Sequence, residues 1–319
     1  LLNKNILKEI IKMAGKNVYK IVKERIVAEL EECIKTGTSP KWLKPWIGGS
    51  PMNYVTRKYY RGCNLLLLSK GGEYITWTQM QDLRKKNPEI KLKKGCKKEM
   101  IIFWKLLEKE EQTETGDVEN KLLPLLRYYY VFHISDVEGI ESKLESFEHE
   151  DQNEDFDNII NDYCQRTNLT FNEVKGSGKA FYSPNKHLVQ VPCRTDFKNY
   201  EEFISTVAHE LVHSTGHPNL LNRFQVDTGS GLFGSESYSK EELIAEMGAN
   251  FLMGLLNIQS AGTQKNSVAY LTGWLSRIKD GDISFVLQAS SLAQKACDLI
   301  TNNMYKQQEN EDENSQEVA

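Results

Sequence analysis

Apolar residues recur every three or four positions between residues 17 and 36. Val18, Ile21, Val22, Ile26, Val27, Leu30 and Ile34 fall on one side of a helical wheel and predict an amphipathic helix. Pro40, Pro45 and Pro51, with Gly48 and Gly49, then break the helical period and predict a loop that carries Trp42 and Trp46. The stretch from Arg57 to Lys86 reads as a turn, a buried apolar helix or strand, a Gly71-Gly72 turn and a short helix. Lys91 to Lys98 predict a basic turn before a strand at Met100 to Trp104, and Leu126 to Ile134 predict a second strand. The acidic, polar residues 106 to 121 between them suggest a hairpin with a long, mobile tip.

Residues 141–157 are rich in Glu and Asp and predict a linker. Beyond it, the pattern predicts a helix near Phe156 to Thr167, one strand within 178–192, and helices at 198–216, 239–256, 264–279 and 282–305. The expected fold class is α+β. An α+β domain at 1–140 is followed by the linker, a mostly helical domain at 158–306 and a solvated acidic tail at 307–319.

With 319 residues and 39% hydrophobic positions, the chain is long and apolar enough for two packed cores, which excludes a disordered protein. No apolar run reaches the roughly 18 residues of a membrane span, and the first residues lack the pattern of a signal peptide. A soluble, cytoplasmic protein without a membrane partner is therefore expected. The six cysteines are scattered singly, with no CxxC pair, and read as free thiols. The net charge of −4 conceals an asymmetry: residues 1–105 hold 23 Lys and Arg against 9 Asp and Glu, and the rest 17 against 35. The basic half suits a polyanion, most simply nucleic acid.

The segment TVAHELVHSTGH (206–217) contains His209, Glu210 and His213 at the H-E-x-x-H spacing of zinc hydrolases. Two histidines four apart sit about 40° apart around a helix and about 6 Å along it, so both rings can reach one ion. Phe203, Ile204, Val207, Ala208, Leu211 and Val212 make the flanks mostly apolar, and a helix buried this way needs a reason to carry His and Glu. Glu210 then stands where it can take a proton from metal-activated water. One Zn2+ per chain is expected, with other divalent metals as alternatives. A catalytic zinc takes a third protein ligand. Among Glu241, Glu242 and Glu246 the first choice is Glu246 and the second Glu242, with Asn250 as an orienting partner and Glu241 as the most solvated of the three. The Glu-x-x-x-Asn spacing resembles the Glu-x-x-x-Asp of thermolysin-like zincins. His217 is a further candidate ligand or helix-end residue, and Tyr238 could donate to an oxyanion.

Several long motifs, in order, resemble the ArdC-like antirestriction proteins of plasmids and other mobile elements. In the first half these are VYKIVKERIVAELE, KWLKPW, PMNYVTRKYYRGCNLLLL, ITWTQM, KLKKGCKKEMIIFW and YYYVFHISDVEG. In the second half they are HELVHSTGHPNLLNR, FGSESYSKEELIAEMGANFL, AYLTGWL and AQKACDLI. Ser214 and Leu220 stand where members commonly have Trp and Arg, and Arg223 supplies a later arginine. The resemblance implies a single-stranded-DNA-binding N-terminal domain joined to a zincin-like metallopeptidase domain, acting on a protein or peptide substrate. The alternative is a non-enzymatic DNA-shielding or replication-accessory protein with a structural zinc. Single-stranded DNA is held by cations and stacking aromatics. The candidate contacts are Trp42, Lys44, Trp46, Tyr60, Lys94, Lys97 and Lys98, together with Arg57, Lys58, Arg61 and Asn64 on a turn expected to leave them exposed.

Overall fold

The computed structural model describes residues 4–38, 40, 49–112, 118–144, 152–224, 236–258, 268–279 and 283–303. Helix α1 (Lys4–Thr36) extends well before the predicted start, and Val18, Val22, Ile26 and Leu30 form its buried stripe. Strand β1 (Met52–Asn53), helix α2 (Cys63–Leu67), strand β2 (Glu73–Thr76) and helix α3 (Trp77–Lys86) follow. The run at Leu65–Leu67, open between helix and strand in the sequence, is the buried face of α2. Helix α3 starts at a capping box, in which Thr76 accepts from the Gln79 amide and Gln79 caps the Thr76 amide in return.

Strand β3 (Lys91–Leu92) pairs with the later β6 (Val137–Glu138). Between them β4 (Lys98–Gln112) and β5 (Val118–His133) form an antiparallel ladder from Lys98 opposite Phe132 to Gln112 opposite Val118. Paired strand therefore replaces most of the loose tip expected at 106–121, and residues 113–117 lie outside the described residues. The sheet order is β1-β2-β5-β4, with β1 parallel to β2 and the rest antiparallel. Alternation along its strands separates two cores. Tyr74 and Val131 join the main core, while Ile75 and Phe132 face Met80, Ile90, Ile134 and Val137 on the other side.

The second half begins with α4 (Gln152–Thr167), which starts inside the stretch read as linker. Residues 145–151 lie outside the described residues, as does the acidic tail at 307–319. The predicted single strand in 178–192 is two strands: β8 (Phe181–Ser183) turns through a 3-10 segment into β9 (Leu188–Pro192). His187, at φ 44°, takes the left-handed residue that the turn needs. Strand β7 (Thr170–Val174), unseen in the pattern, runs parallel to β9, giving the order β7-β9-β8. Helices α5 (Tyr200–Ser214), α6 (Glu236–Leu255), α7 (Val268–Lys279) and α8 (Ser284–Ile300) complete the chain.

The main core runs without a break from Val18 on α1 to Ile300 on α8, so the halves share one apolar interior. Polar ties cross the same boundary. The Arg61 guanidinium holds both carboxylate oxygens of Asp298 on α8 at 2.6 and 2.5 Å, the Gly62 amide donates to Gln294, and the Ser50 amide donates to the Gly254 carbonyl.

Candidate metal centre

Helix α5 is capped by Asn199, whose side chain accepts from the Glu202 amide, and Glu201 and Glu202 complement the positive end of its dipole. Its apolar face, Phe203, Ile204, Val207, Ala208, Leu211 and Val212, is fully buried. Helix α6 crosses it closely because Gly248 has no side chain: a Cβ there would lie 2.7 Å from a Val212 methyl. The close crossing brings the acidic face of α6 over the two histidines.

His209 Nε2 and His213 Nε2 lie 3.0 Å apart. The Glu242 carboxylate faces both, with Oε2 3.6 Å from His209 Nε2 and Oε1 3.5 Å from His213 Nε2. A tetrahedral ion with nitrogen ligands at about 2.05 Å spaces its donors roughly 3.3 Å apart, so the two nitrogens and one carboxylate fit a zinc-type ion. Among the described residues His209, His213 and Glu242 form a donor group whose atoms lie within 4.8 Å of one another. Glu246, the first choice from sequence, is instead 3.6 Å from His209 Nδ1, on the far side of the ring. The two glutamates are one turn apart on one face, and only the crossing of α5 and α6 decides which one meets both Nε2 atoms.

Burial alone would lower the His209 pKa, but the Glu242 hydrogen bond and the charges of Glu246 and Glu210 more than offset it and push it up to about 9. The carboxylates of Glu242, Glu246 and Glu210 thus surround His209 with negative charge. Burial raises the Glu210 pKa; the charges of His213 and His209 pull it down, and the Tyr182 backbone amide of β8 hydrogen-bonds the carboxylate. Glu210 is 8% exposed.

Other sequence candidates are placed differently. Asn250 donates to the Glu246 carbonyl of its own helix and orients no histidine. The His217 ring packs at a tilt of 40° against His187, with ring centroids 4.2 Å apart, and its Nδ1 accepts from the Asn219 amide, so it stands outside the donor group. The Tyr238 side chain lies outside the described residues. Glu241, read as the most solvated glutamate, is enclosed: Arg223 holds both its oxygens, and its Oε1 is 3.3 Å from His213 Nδ1. Burial alone would raise its pKa, but the hydrogen bonds from Arg223 and His213 bring it below the ordinary carboxylate value. The signal for this pair was a lone arginine in the apolar LLNRF run after the second histidine.

The comparisons bear on both halves. Residues 16–132 match the model for the N-terminal domain of anti-restriction factor ArdC, and residues 159–292 match a zincin-like metallopeptidase model. The metal-free crystal structure of the antirestriction ArdC protein from the R388 plasmid superposes with a TM-score of 0.68 at 28% identity, covering 91% of this chain and 99% of that one. The chain thus resembles the ArdC antirestriction proteins in both of its halves. The Mn(II)-bound form of the same R388 protein gives a TM-score of 0.66 at 26% identity, with the same coverage. The chain is also 27% identical over 305 residues to a DNA primase TraC of Escherichia coli. That match takes 89% of this chain but spans only 27% of the primase. An uncharacterized protein, y4eC, of Sinorhizobium fredii is 26% identical over 312 residues, covering 90% of this chain and 94% of its own length.

In the ArdC-like N-terminal half the candidate contacts divide. Trp42, Lys44 and Trp46 lie outside the described residues. The segment 57–64 is not a free cationic edge. Arg57 pairs with the buried Glu73, Arg61 with Asp298, and Asn64 exchanges hydrogen bonds with the backbone of Ile102 on β4. Tyr60 belongs to the main core, edge-on to Tyr74. Arg57, Tyr60 and Arg61 lie in irregular chain before α2, Asn64 lies within α2 itself, and partners elsewhere in the chain hold them, so they are not the exposed turn that was expected. Lys58 is half-buried. Lys94, Lys97 and Lys98 are exposed, and the Lys98 ammonium sits 4.0 Å from the centre of the Tyr130 ring. Among the described residues of this half, Trp77 at 52% exposure and Tyr128 at 39% are the large aromatics open to solvent. The six cysteines are free, and no helix among the described residues is long and apolar enough to cross a membrane.

Proposed function

We propose that the protein is a metal-dependent peptidase tied to single-stranded DNA, which helps a transferred genetic element escape restriction. The observation that carries this reading is the convergence of His209, His213 and Glu242 beside the buried Glu210. Two imidazole nitrogens and a carboxylate suit zinc or a related divalent ion, and the Mn(II)-bound R388 relative supports metal binding at such a site. Such an ion supplies Lewis acidity, polarising a peptide carbonyl and lowering the pKa of water to about 7. Glu210 takes the proton of the attacking water and passes it to the leaving amine; burial has raised its proton affinity toward that task. The Tyr182 amide holds the Glu210 carboxylate in place. A structural site has no use for a general base, which is why an intact Glu210 favours catalysis.

The DNA contact is proposed at the exposed Lys94, Lys97 and Lys98, with Trp77 and Tyr128 as stacking surfaces. The match to TraC primases favours a second reading, a DNA-handling accessory that shields DNA without proteolysis. Glu210→Ala separates the two. Under the peptidase reading the variant retains its metal and its DNA affinity but loses protection of incoming DNA in cells. Full protection by this variant would favour shielding.

A further inference from the structure

We propose that Arg223 is a positioning residue for the metal centre, acting through Glu241 to hold the His213 ring with Nε2 turned toward Glu242 and His209. This inference rests on reading His209, His213 and Glu242 as the ligands. The Arg223 side chain is only 5% exposed, and its guanidinium is fully engaged in one direction. Nε donates to Glu241 Oε2 at 2.9 Å and Nη2 to Oε1 at 2.7 Å, the side-on fork that only arginine offers a carboxylate. Nη1 donates to Thr215 Oγ1 and Nη2 also to the Val212 carbonyl, both at 2.7 Å. One side chain thereby ties α6, the last turns of α5 and the turn that follows them.

Glu241 passes the constraint on. Its Oε1 is 3.3 Å from His213 Nδ1, so a proton on Nδ1 is favoured and the Nε2 lone pair is left for the donor group. His209 has a looser counterpart, since Glu246 stands 3.6 Å from its Nδ1 and is 27% exposed. The return of the chain is built for this purpose. Leu221, Asn222 and Arg223 donate their amides to Thr215, His217 and Gly216, with Asn222 in the left-handed region at φ 48°. Gly216 admits the Phe224 ring where a Cβ would lie 2.5 Å from it. The turn after the second histidine therefore sets the aim of that histidine.

The test is metal affinity of the full chain stripped by chelation, read for Zn(II) and Mn(II) by competition with a chromophoric chelator. Glu241→Gln and Arg223→Gln are expected to weaken both metals about 10- to 100-fold, the range for partners of ligating histidines. Arg223→Lys should fall between them and wild type, because an ammonium cannot make the fork. The double variant Arg223→Gln/Glu241→Gln should bind no worse than Glu241→Gln alone, since both act along one path. Arg194→Gln, which breaks a different ion-pair network with Glu173 and Asp157, should lower the melting temperature and leave metal affinity unchanged. Wild-type affinity in a folded Arg223→Gln, or additive losses in the double variant, overturns the proposal. If Arg223→Gln does not fold, wild-type affinity in Glu241→Gln and Arg223→Lys does so. A wild-type chain that takes up neither metal overturns the ligand reading, and the role of Arg223 falls with it. Binding by wild type with indifferent variants overturns the role of Arg223 alone.

Discussion

Glu73 is a carboxylate with no exposed surface, and three groups hold it there. Arg57 pairs with it, Ser142 Oγ donates at 2.7 Å and the Lys143 amide at 2.9 Å. Arg57 reaches it from a turn in which its own backbone is left-handed, at φ 61°, fixed by Asn53 Oδ1 accepting two amides. Burial alone would raise the Glu73 pKa, but the hydrogen bonds from Ser142, Arg57 and Lys143 bring it below its ordinary value. A lowered folded pKa stabilises the protein above the unfolded pKa, and the contribution disappears as pH falls through the folded value. Glu73→Gln is therefore expected to cost about 1–3 kcal/mol at pH 7, the range for losing charged hydrogen bonds, since Arg57 keeps access to water. Urea denaturation of both proteins from pH 7 down to 3 should show the gap closing below about pH 4.5. A gap that stays constant with pH would contradict the assignment. The same scale shows what the sequence could carry at the site. His209, Glu210 and His213 were legible because their spacing alone puts them together on a helix. Glu242 and Glu246 share a face one turn apart, and Arg61 meets Asp298 across 237 positions, so no local pattern could choose between the glutamates or foresee the arginine's partner.

At the scale of elements, the α5–α6 crossing converts a helix motif into a three-donor site. Gly248→Ala adds a methyl whose position is 2.7 and 2.9 Å from the two Val212 methyls, and Val212 lies in the helical turn between His209 and His213. Alanine favours helix over glycine by about 1 kcal/mol, whereas overpacking costs about 1–3 kcal/mol. The expected net result is a loss of up to about 2 kcal/mol in denaturant stability with weaker metal binding, as α6 moves away and takes Glu242 with it. Adding Val212→Ala to this variant should restore part of both quantities; an unchanged metal affinity in Gly248→Ala would mean that the crossing tolerates the shift. The long helices were readable because their apolar period is strong over four or more turns. Strand β7 was not, because its alternating residues are only partly buried, and β8 and β9 merged because the turn between them rests on a left-handed His187 rather than on glycine. The β4–β5 ladder was hidden by its polarity: Glu and Lys dominate 108–112, and a strand paired along one edge needs no apolar run to form.

At the scale of the molecule, the opposite charges of the two halves suggested separable units, but the packing joins them. Helix α1 buries Val18, Val22, Ile26 and Leu30 in the same core that holds Trp274 and Ile278 of α7 and Ala293 and Cys297 of α8. Each such aliphatic side chain contributes about 1.5–3 kcal/mol when removed from water, so neither half can part from the other without exposing several of them. The polar ties at Arg61, Gly62 and Ser50 lie at the rim of this contact and set its register. From Asp298 the contact continues through α8 to the Cys297 thiol, which donates to the Gly248 carbonyl on α6, so the basic half and the metal centre are joined by adjacent packed elements. Two consequences can be measured together. Calorimetry of the full chain should give one cooperative transition rather than two, since separate melting would strand the α1 stripe in water. Asp298→Ala leaves the partly buried Arg61 without this carboxylate and should lower that single transition by about 3 kcal/mol, and Arg61→Met/Asp298→Leu, which removes both charges, should recover much of the loss. If Asp298→Ala instead splits the transition into two, the ion pair and not the shared core is what makes the halves act as one body.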